Sequence, residues 1–409
     1  MRILIVSQYY YPEPVEKIHD LARGLVQKGH KVQVITSFPC YPAGRIYHEY
    51  RQKFIMNEEL DGVSITRIPQ VPDHSRSVFR RALYYLSFAF SATIAGLANR
   101  RSVDLILVYQ AALPVGLSGR LISYLRGVPL VLDVVDLWPE SVVASGMLTN
   151  EFAIKLIRKA AEFIYRGANH VIVVTNGFKR RLTKMGIPQD MISVIHNWMP
   201  TSTYHVVKPR ADLAESENLA GRFNVIYAGS MGPVQDLHTV LAAAALLTDL
   251  PEIQLVLIGD GLEYEDLVKS AKQRNLNNVR FLGRRLPEEM PGFYALADVL
   301  LVHLKPDPLS DVSIPSKTFA YMACGRPVLM AVKGEAQEFV KENYFGIGVE
   351  PSNPRKMAEA IRCFYALPSE NRNCMGQAAL NAYSRSFCSE VQISKFENIL
   401  TAIVQTKKQ

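Results

Sequence analysis

The chain has 409 residues, of which 48% are hydrophobic and 21% charged, with a formal net charge of +8. That composition excludes a disordered or fibrous chain and supplies core for two or three domains of roughly 100–200 residues each. The positive balance suits anionic partners such as nucleotides or an acidic membrane surface. No basic run with interleaved aromatics is present, so nucleic acid is not an expected partner. Cys40, Cys324, Cys363, Cys374 and Cys388 form no CxxC pair, which argues for reduced thiols rather than a disulfide frame or a metal site. The first residues, Met1-Arg-Ile-Leu-Ile-Val6, are too short an apolar run for a signal peptide.

Residues 2–6 read as a buried parallel strand. A helix follows with Ile18, Leu21, Ala22, Leu25 and Val26 on one face, then a strand at 31–36. This β–α–β unit opens a doubly wound α/β sheet. Ligands of such sheets bind outside the strand carboxyl ends, so 7–16 and 37–45 are candidate site loops. Residues 82–99 carry no charge and are flanked by Arg76, Arg80, Arg81, Arg100 and Arg101. Three readings of 76–101 stay open: a buried domain helix, a basic–apolar helix docking on an anionic membrane, or a span at the lower limit of roughly 17–25 residues.

Alternation resumes with a strand at 103–109, a helix at 112–126 and a strand at 128–135 that runs into Asp136-Leu-Trp-Pro-Glu-Ser141. Asp136 or Glu140 could take a proton from a hydroxyl nucleophile. Equally, Asp136 could cap a turn and Trp138 be core. A helix at 150–167, a strand at 168–174, a basic helix at 178–185 and a strand at 192–196 complete the first half. Residues 201–221 lose apolar periodicity and read as a linker.

A second alternation follows. Strands at 223–228, 253–258 and 279–282 end in Gly229-Ser-Met-Gly232, Gly259-Asp-Gly261 and Gly283-Arg-Arg285. Helices are expected at 236–247, 263–274 and 287–296, and a strand at 299–302. Glycine turns after strands let backbone N–H groups close on an anion. The loop 305–311 then leads into a helix with Pro315 at its first position. Ser313 and Ser316 could accept from its first-turn N–H groups, and Lys317 adds a cation there. The alternative is an ordinary loop and helix with a solvated lysine. A strand at 327–332 comes next. The tail, 385–405, is amphipathic and needs an apolar surface to cover.

Taken together, these motifs resemble those of the retaining GT-B glycosyltransferases of family 4, in the bacterial branch that builds O-antigen and capsule polysaccharides. The carriers are Ser7-Gln-Tyr-Tyr-Tyr-Pro12, Gly29-His30, Asp136-Leu-Trp-Pro-Glu-Ser141, Tyr227-Ala-Gly-Ser-Met-Gly232, Ile258-Gly-Asp-Gly261, Phe281-Leu-Gly283, and Pro315-Ser-Lys317 with Tyr321-Met-Ala-Cys-Gly-Arg-Pro-Val328. The resemblance spans essentially the whole chain. It implies two Rossmann-like doubly wound domains facing across a cleft: an acceptor domain at 1–200, a nucleotide-sugar domain at 222–385, and a last helix, 386–409, crossing back to the first.

By position, the resemblance places Gly229, Ser230 and Gly232 near the donor diphosphate or sugar. Gly259, Asp260 and Gly261 would shape the pocket, and Gly283, Arg284 and Arg285 would meet the nucleobase, one arginine aiding electrostatically. Ser313, Pro315, Ser316, Lys317 and Tyr321 would surround the diphosphate. Asp136 would serve the acceptor hydroxyl, with Tyr11, Glu13, Tyr41, Trp138 and Glu140 as acceptor-side residues. No metal or cofactor is implied. The donor would be UDP-linked, with an N-acetylated amino or deoxy sugar as one option. The acceptor would be a lipid-linked glycan at the inner face of the bacterial plasma membrane, the protein being cytoplasmic and peripheral. The chain departs from the family where two glutamates are common, having Val312 and Ala320, and it has no cation between Ser230 and Gln235. These departures keep a non-catalytic nucleotide-binding subunit as the alternative, with a nucleotide-sugar epimerase behind it.

Overall fold

The short β-branched runs form strands, and those inside the two sheets are mostly buried, as parallel strands covered by helices on both faces must be, while the edge strands are partly exposed. The structure, a computed structural model, describes all residues except His74, Arg76, Ser145 and Gln409 and the side chain of Lys408. Arg76, one of the expected flanking charges, thus lies outside the described residues.

The first sheet contains β1 (Arg2–Ser7), β2 (Lys31–Ser37), β3 (Met56–Leu60), β4 (Val63–Ile68), β5 (Leu105–Gln110), β6 (Leu130–Val134), β7 (His170–Val173) and β8 (Ile192–Val194), in the order β3-β4-β2-β1-β5-β6-β7-β8. All its pairings are parallel except the hairpin β3–β4. That hairpin turns at Asp61-Gly62, both with positive φ. The signal was present in the sequence, since Asp-Gly between strand-like runs favours such a turn.

The second sheet contains β9 (Phe223–Ala228), β10 (Ile253–Ile258), β11 (Val279–Gly283), β12 (Val299–His303), β13 (Val328–Ala331) and β14 (Gly346–Gly348), in the order β11-β10-β9-β12-β13-β14. Every pairing in it is parallel. Each sheet has one place where strand order reverses, between β1 and β5 and between β9 and β12. These switch points open crevices at the strand carboxyl ends.

The chain divides into two units, Met1–His196 with Ser389–Gln409, and Asn197–Cys388. Residues 201–221, expected as a linker, fold with the second unit: they contain the helix Ala211–Ser216, and Leu219 is buried in that unit's core. The tail helix, Ser389–Lys408, belongs to the first unit. Its Ile393, Phe396, Leu400 and Val404 are buried, and it packs on the helix Glu16–Gln27. The approach is close: a Cβ on Gly24 would lie 2.5 Å from Ile393 Cδ1. Phe387, counted with the tail in the sequence, packs instead in the core of the second unit.

The uncharged stretch forms the 21-residue helix Val78–Ala98. Tyr84, Phe88, Ala92 and Gly96 face inward, and Gly96 packs against Ile122 of the helix Leu113–Arg126. The opposite face is also apolar, with Phe79 78% and Phe90 70% exposed. A buried domain helix therefore accounts for only one of its faces. No helix among the described residues is long and apolar enough to cross a membrane.

Candidate active site

In the second unit, two glycine turns interlock at the carboxyl ends of β9 and β10. Gly229 and Gly259 both have φ of 140°, and a Cβ on Gly259 would lie 1.9 Å from the Gly229 carbonyl oxygen. Only glycine permits that approach. The turns are tied by Gly229 N–H to Ile258 O at 2.9 Å, Met231 N–H to Asp260 O at 2.9 Å and Glu263 N–H to Met231 O at 3.0 Å. The Asp260 carboxylate accepts from the Gly261 N–H at 2.7 Å, and the Ser230 carbonyl accepts from Tyr227 Oη at 2.6 Å. Gly232 donates to Gln235 Oε1 at 3.1 Å.

Lys317 stands against this floor. Its Nζ lies 3.7 Å from the centroid of the Tyr227 ring, and a Cβ on Gly229 would come within 2.7 Å of it. Desolvation lowers the Lys317 ammonium to about 7. No carboxylate among the described residues offsets that loss. A half-buried, partly desolvated cation with no anionic partner is an unfavourable arrangement that a bound anion relieves.

The surrounding helix corrects two expectations. It runs Lys317–Ala323, two residues later than Pro315 suggested, and the Pro315 carbonyl accepts from Thr318 N–H at 3.0 Å. Neither serine caps it: Ser316 makes no side-chain cap bond, and Ser313 Oγ donates to Leu309 O at 2.7 Å. Ser316 remains exposed, with its hydroxyl available beside Lys317.

Tyr321 is corrected as well. It is fully buried, and its hydroxyl accepts from the Ala228 N–H at 3.1 Å. It fills the gap where β9 and β12 diverge and shapes the floor rather than facing a ligand. Arg285 pairs with Glu217 at 2.7 Å and lies over the Phe293 ring, so its charge is already compensated. Arg284 is exposed, and Gly283 turns the chain there with φ of 67°.

In the first unit, Glu13 is not open to an acceptor. It is buried, and its carboxylate accepts from the N–H groups of Tyr10 at 3.1 Å and of Cys40 and Tyr41 at 2.8 Å each. It clamps the loop after β1 to the loop after β2. The clamp presents an aromatic wall. Tyr9 and Tyr41 have ring centroids 5.2 Å apart, and Trp138 meets Tyr85 edge-on at 5.7 Å. Tyr11 is half exposed and packs on His19. Asp136 is solvent-accessible, yet desolvation by the surrounding protein raises its carboxyl to about 6. Glu140 opens a short helix, 3.8 Å from Arg158.

Three features escaped the sequence reading. Lys17 and Asp133 form a buried ion pair at 2.9 Å near the carboxyl ends of β5 and β6. His303, buried at the end of β12, donates from Nδ1 to Gln235 O at 2.8 Å and accepts at Nε2 from the Ser352 N–H at 3.0 Å. Those bonds fix its neutral tautomer, and burial lowers its basicity. Glu335, largely buried, opens the helix after β13, and the preceding Gly334 packs on the Asp311 backbone. Position at a strand's carboxyl end is the signal that could have marked His303. Ala320 is buried and Val312 lies in a short 3₁₀ turn, so neither position offers a carboxylate.

Residues 14–198 match the family described as glycosyl transferase 4-like domain, and residues 210–382 match glycosyl transferases group 1. The chain belongs to these glycosyltransferase families. It is 25% identical to a protein designated colanic acid biosynthesis glycosyl transferase WcaI of Escherichia coli K12, over 91% of this chain and 94% of that one. It is 27% identical to alpha-galactosylglucosyldiacylglycerol synthase of Streptococcus pneumoniae, over 62% of this chain and 63% of that one. Among solved structures, HepE of Anabaena in complex with UDP and glucose superposes with a TM-score of 0.71 at 19% identity, covering 98% of this chain and 99% of that one. The fold is GT-B: two Rossmann-like α/β domains.

Proposed function

We infer that this glycosyltransferase moves a sugar from a UDP-linked donor to a lipid-linked glycan during assembly of a bacterial surface polysaccharide, with retention at the anomeric carbon. The observation that carries the donor half is Lys317, an uncompensated, desolvated cation beside glycine turns at a switch point. In the reaction the bond from the anomeric carbon to the diphosphate oxygen breaks, and its electron pair leaves with the UDP. Lys317, with the exposed Ser316 hydroxyl beside it, stabilises that charge without a metal. The acceptor hydroxyl oxygen bonds to the anomeric carbon, and Asp136 takes its proton. The names of the relatives support the acceptor class: one is designated for colanic acid biosynthesis, the other makes a glycosylated diacylglycerol. HepE, whose structure holds UDP and glucose, supports the donor.

The missing carboxylates at Val312 and Ala320 favour one second reading, a nucleotide-binding subunit without catalysis. The test is to incubate the protein with UDP-sugars and an extract of bacterial membrane lipids, with and without EDTA. A new glycolipid formed in both conditions is expected. UDP binding with neither transfer nor donor hydrolysis would establish the non-catalytic reading instead.

A further inference from the structure

The helix Val78–Ala98 is one of three side-by-side helices covering the same face of the first sheet. The second is Leu113–Arg126, which packs against it, and the third is Glu151–Arg166, which packs against the second. The outer surfaces of such covering helices are ordinarily polar. Here Phe79, Leu83, Leu86, Phe90, Ile94 and Leu97 recur every three or four residues along the exposed side of the first. Tyr124 is 82% exposed beside Leu121 on the second, and Phe152 is 78% exposed one turn before Leu156 on the third. Most of the large apolar side chains exposed among the described residues lie on this layer.

The charge on the layer is mainly positive, the acids being Glu151 and Glu162 of the third helix. The first two helices contain no Asp or Glu in 21 and 14 residues, respectively. Arg80, Arg100, Arg101, Lys155 and Lys159 are exposed around the apolar stripes. Arg120 stacks on Phe163, 3.5 Å from the ring centroid.

We propose that this three-helix layer is the membrane-docking face, lying flat on an anionic phospholipid bilayer with the stripes among the acyl chains and the basic residues at the headgroups. A second copy fits less well. A symmetric contact would set the same basic residues against each other, whereas an anionic surface neutralises them. The inner side of the first helix is already occupied by protein, so the helix lies in the interface and does not span. The same helix carries Tyr84 and Tyr85: the Tyr84 hydroxyl accepts from Cys40 Sγ at 3.7 Å, and Tyr85 meets Trp138 at 5.7 Å. One element thus joins the docking face to the aromatic wall of the acceptor side. The inference rests on the lipid-linked acceptor proposed above for its purpose, and on exposure and charge for its geometry.

The test is co-sedimentation of the full chain with vesicles of phosphatidylethanolamine and phosphatidylglycerol, against phosphatidylcholine alone. Binding to the anionic vesicles is expected, weakened by salt. Phe79→Ser/Phe90→Ser/Phe152→Ser should lower partitioning roughly tenfold or more, and so should Arg80→Glu/Lys155→Glu. UDP-induced thermal stabilisation, read in parallel, should be unchanged in both, which separates docking from donor binding. If the triple variant loses that response, the single exposed change Phe90→Ser carries the test and should still lower partitioning. No binding by the wild type, or binding indifferent to these changes, would overturn the proposal. So would a stable dimer, seen by light scattering, that Phe90→Ser disperses.

Discussion

Each of the two sheets presents a lysine near the carboxyl ends of its strands, and the two are treated oppositely. Lys17, in the first unit, is buried against Asp133 at 2.9 Å, and Tyr109 and Phe396 pack around it. Its charge is spent on holding the fold. Lys317, in the second unit, lies over Tyr227 and has no carboxylate among the described residues. Two similar architectures thus differ in whether positive charge is left over at the site. What distinguishes a binding cation from a structural one is the missing partner, not the lysine or its place at the sheet.

Breaking each lysine should give opposite phenotypes. Lys17→Met leaves Asp133 buried without its partner and should cost about 3–5 kcal/mol of stability in urea denaturation, with UDP affinity little changed in the folded protein. The double change Lys17→Met/Asp133→Leu should recover most of it, because removing both charges abolishes the desolvation penalty. Asp136→Asn should leave UDP affinity intact while turnover falls by roughly 10²–10⁴-fold. With its carboxyl at about 6, wild-type turnover should rise as pH passes upward through 6, and the variant should lose that limb. Lys317→Met should weaken UDP binding roughly 10–100-fold with little loss of stability, measured by calorimetry.

The pH dependence sharpens the contrast further. Unfolded, Lys317 keeps its proton to about 10.5; folded, it releases it near 7. Between those values unfolding takes up a proton, so this group's contribution to the stability of the ligand-free protein rises with pH. Diphosphate binding should follow the reverse sense and weaken above 7, by up to roughly tenfold per pH unit. Ser316→Ala should have the smallest effect, a few-fold in UDP affinity, since it removes one exposed hydroxyl.

Much of the fold was legible in the sequence because strands buried on both faces are continuous β-branched runs, and β9, β10 and β12 stand close to where the runs end. The glycine turns and Lys317 were legible for the same reason: they follow strands directly. Partners were not. Glu13 reads as a loop carboxylate, and only the folded chain shows three N–H groups consuming it. Arg285 looks free until Glu217, distant in sequence, reaches it. Tyr321 shares a motif with Lys317 but lies on the buried side of the helix. The docking layer was half visible. An uncharged run marks one helix, while the stripes on its two neighbours matter only once the sheet sets them side by side.

The most direct test of Lys317 as the diphosphate grip is isothermal calorimetry of UDP with the wild type and Lys317→Met, each in two buffers of different ionisation enthalpy above pH 7. The structure predicts proton uptake on binding to the wild type, and in the variant the loss of that uptake together with the 10–100-fold weaker affinity. Equal affinity and equal proton uptake in the two proteins would contradict it.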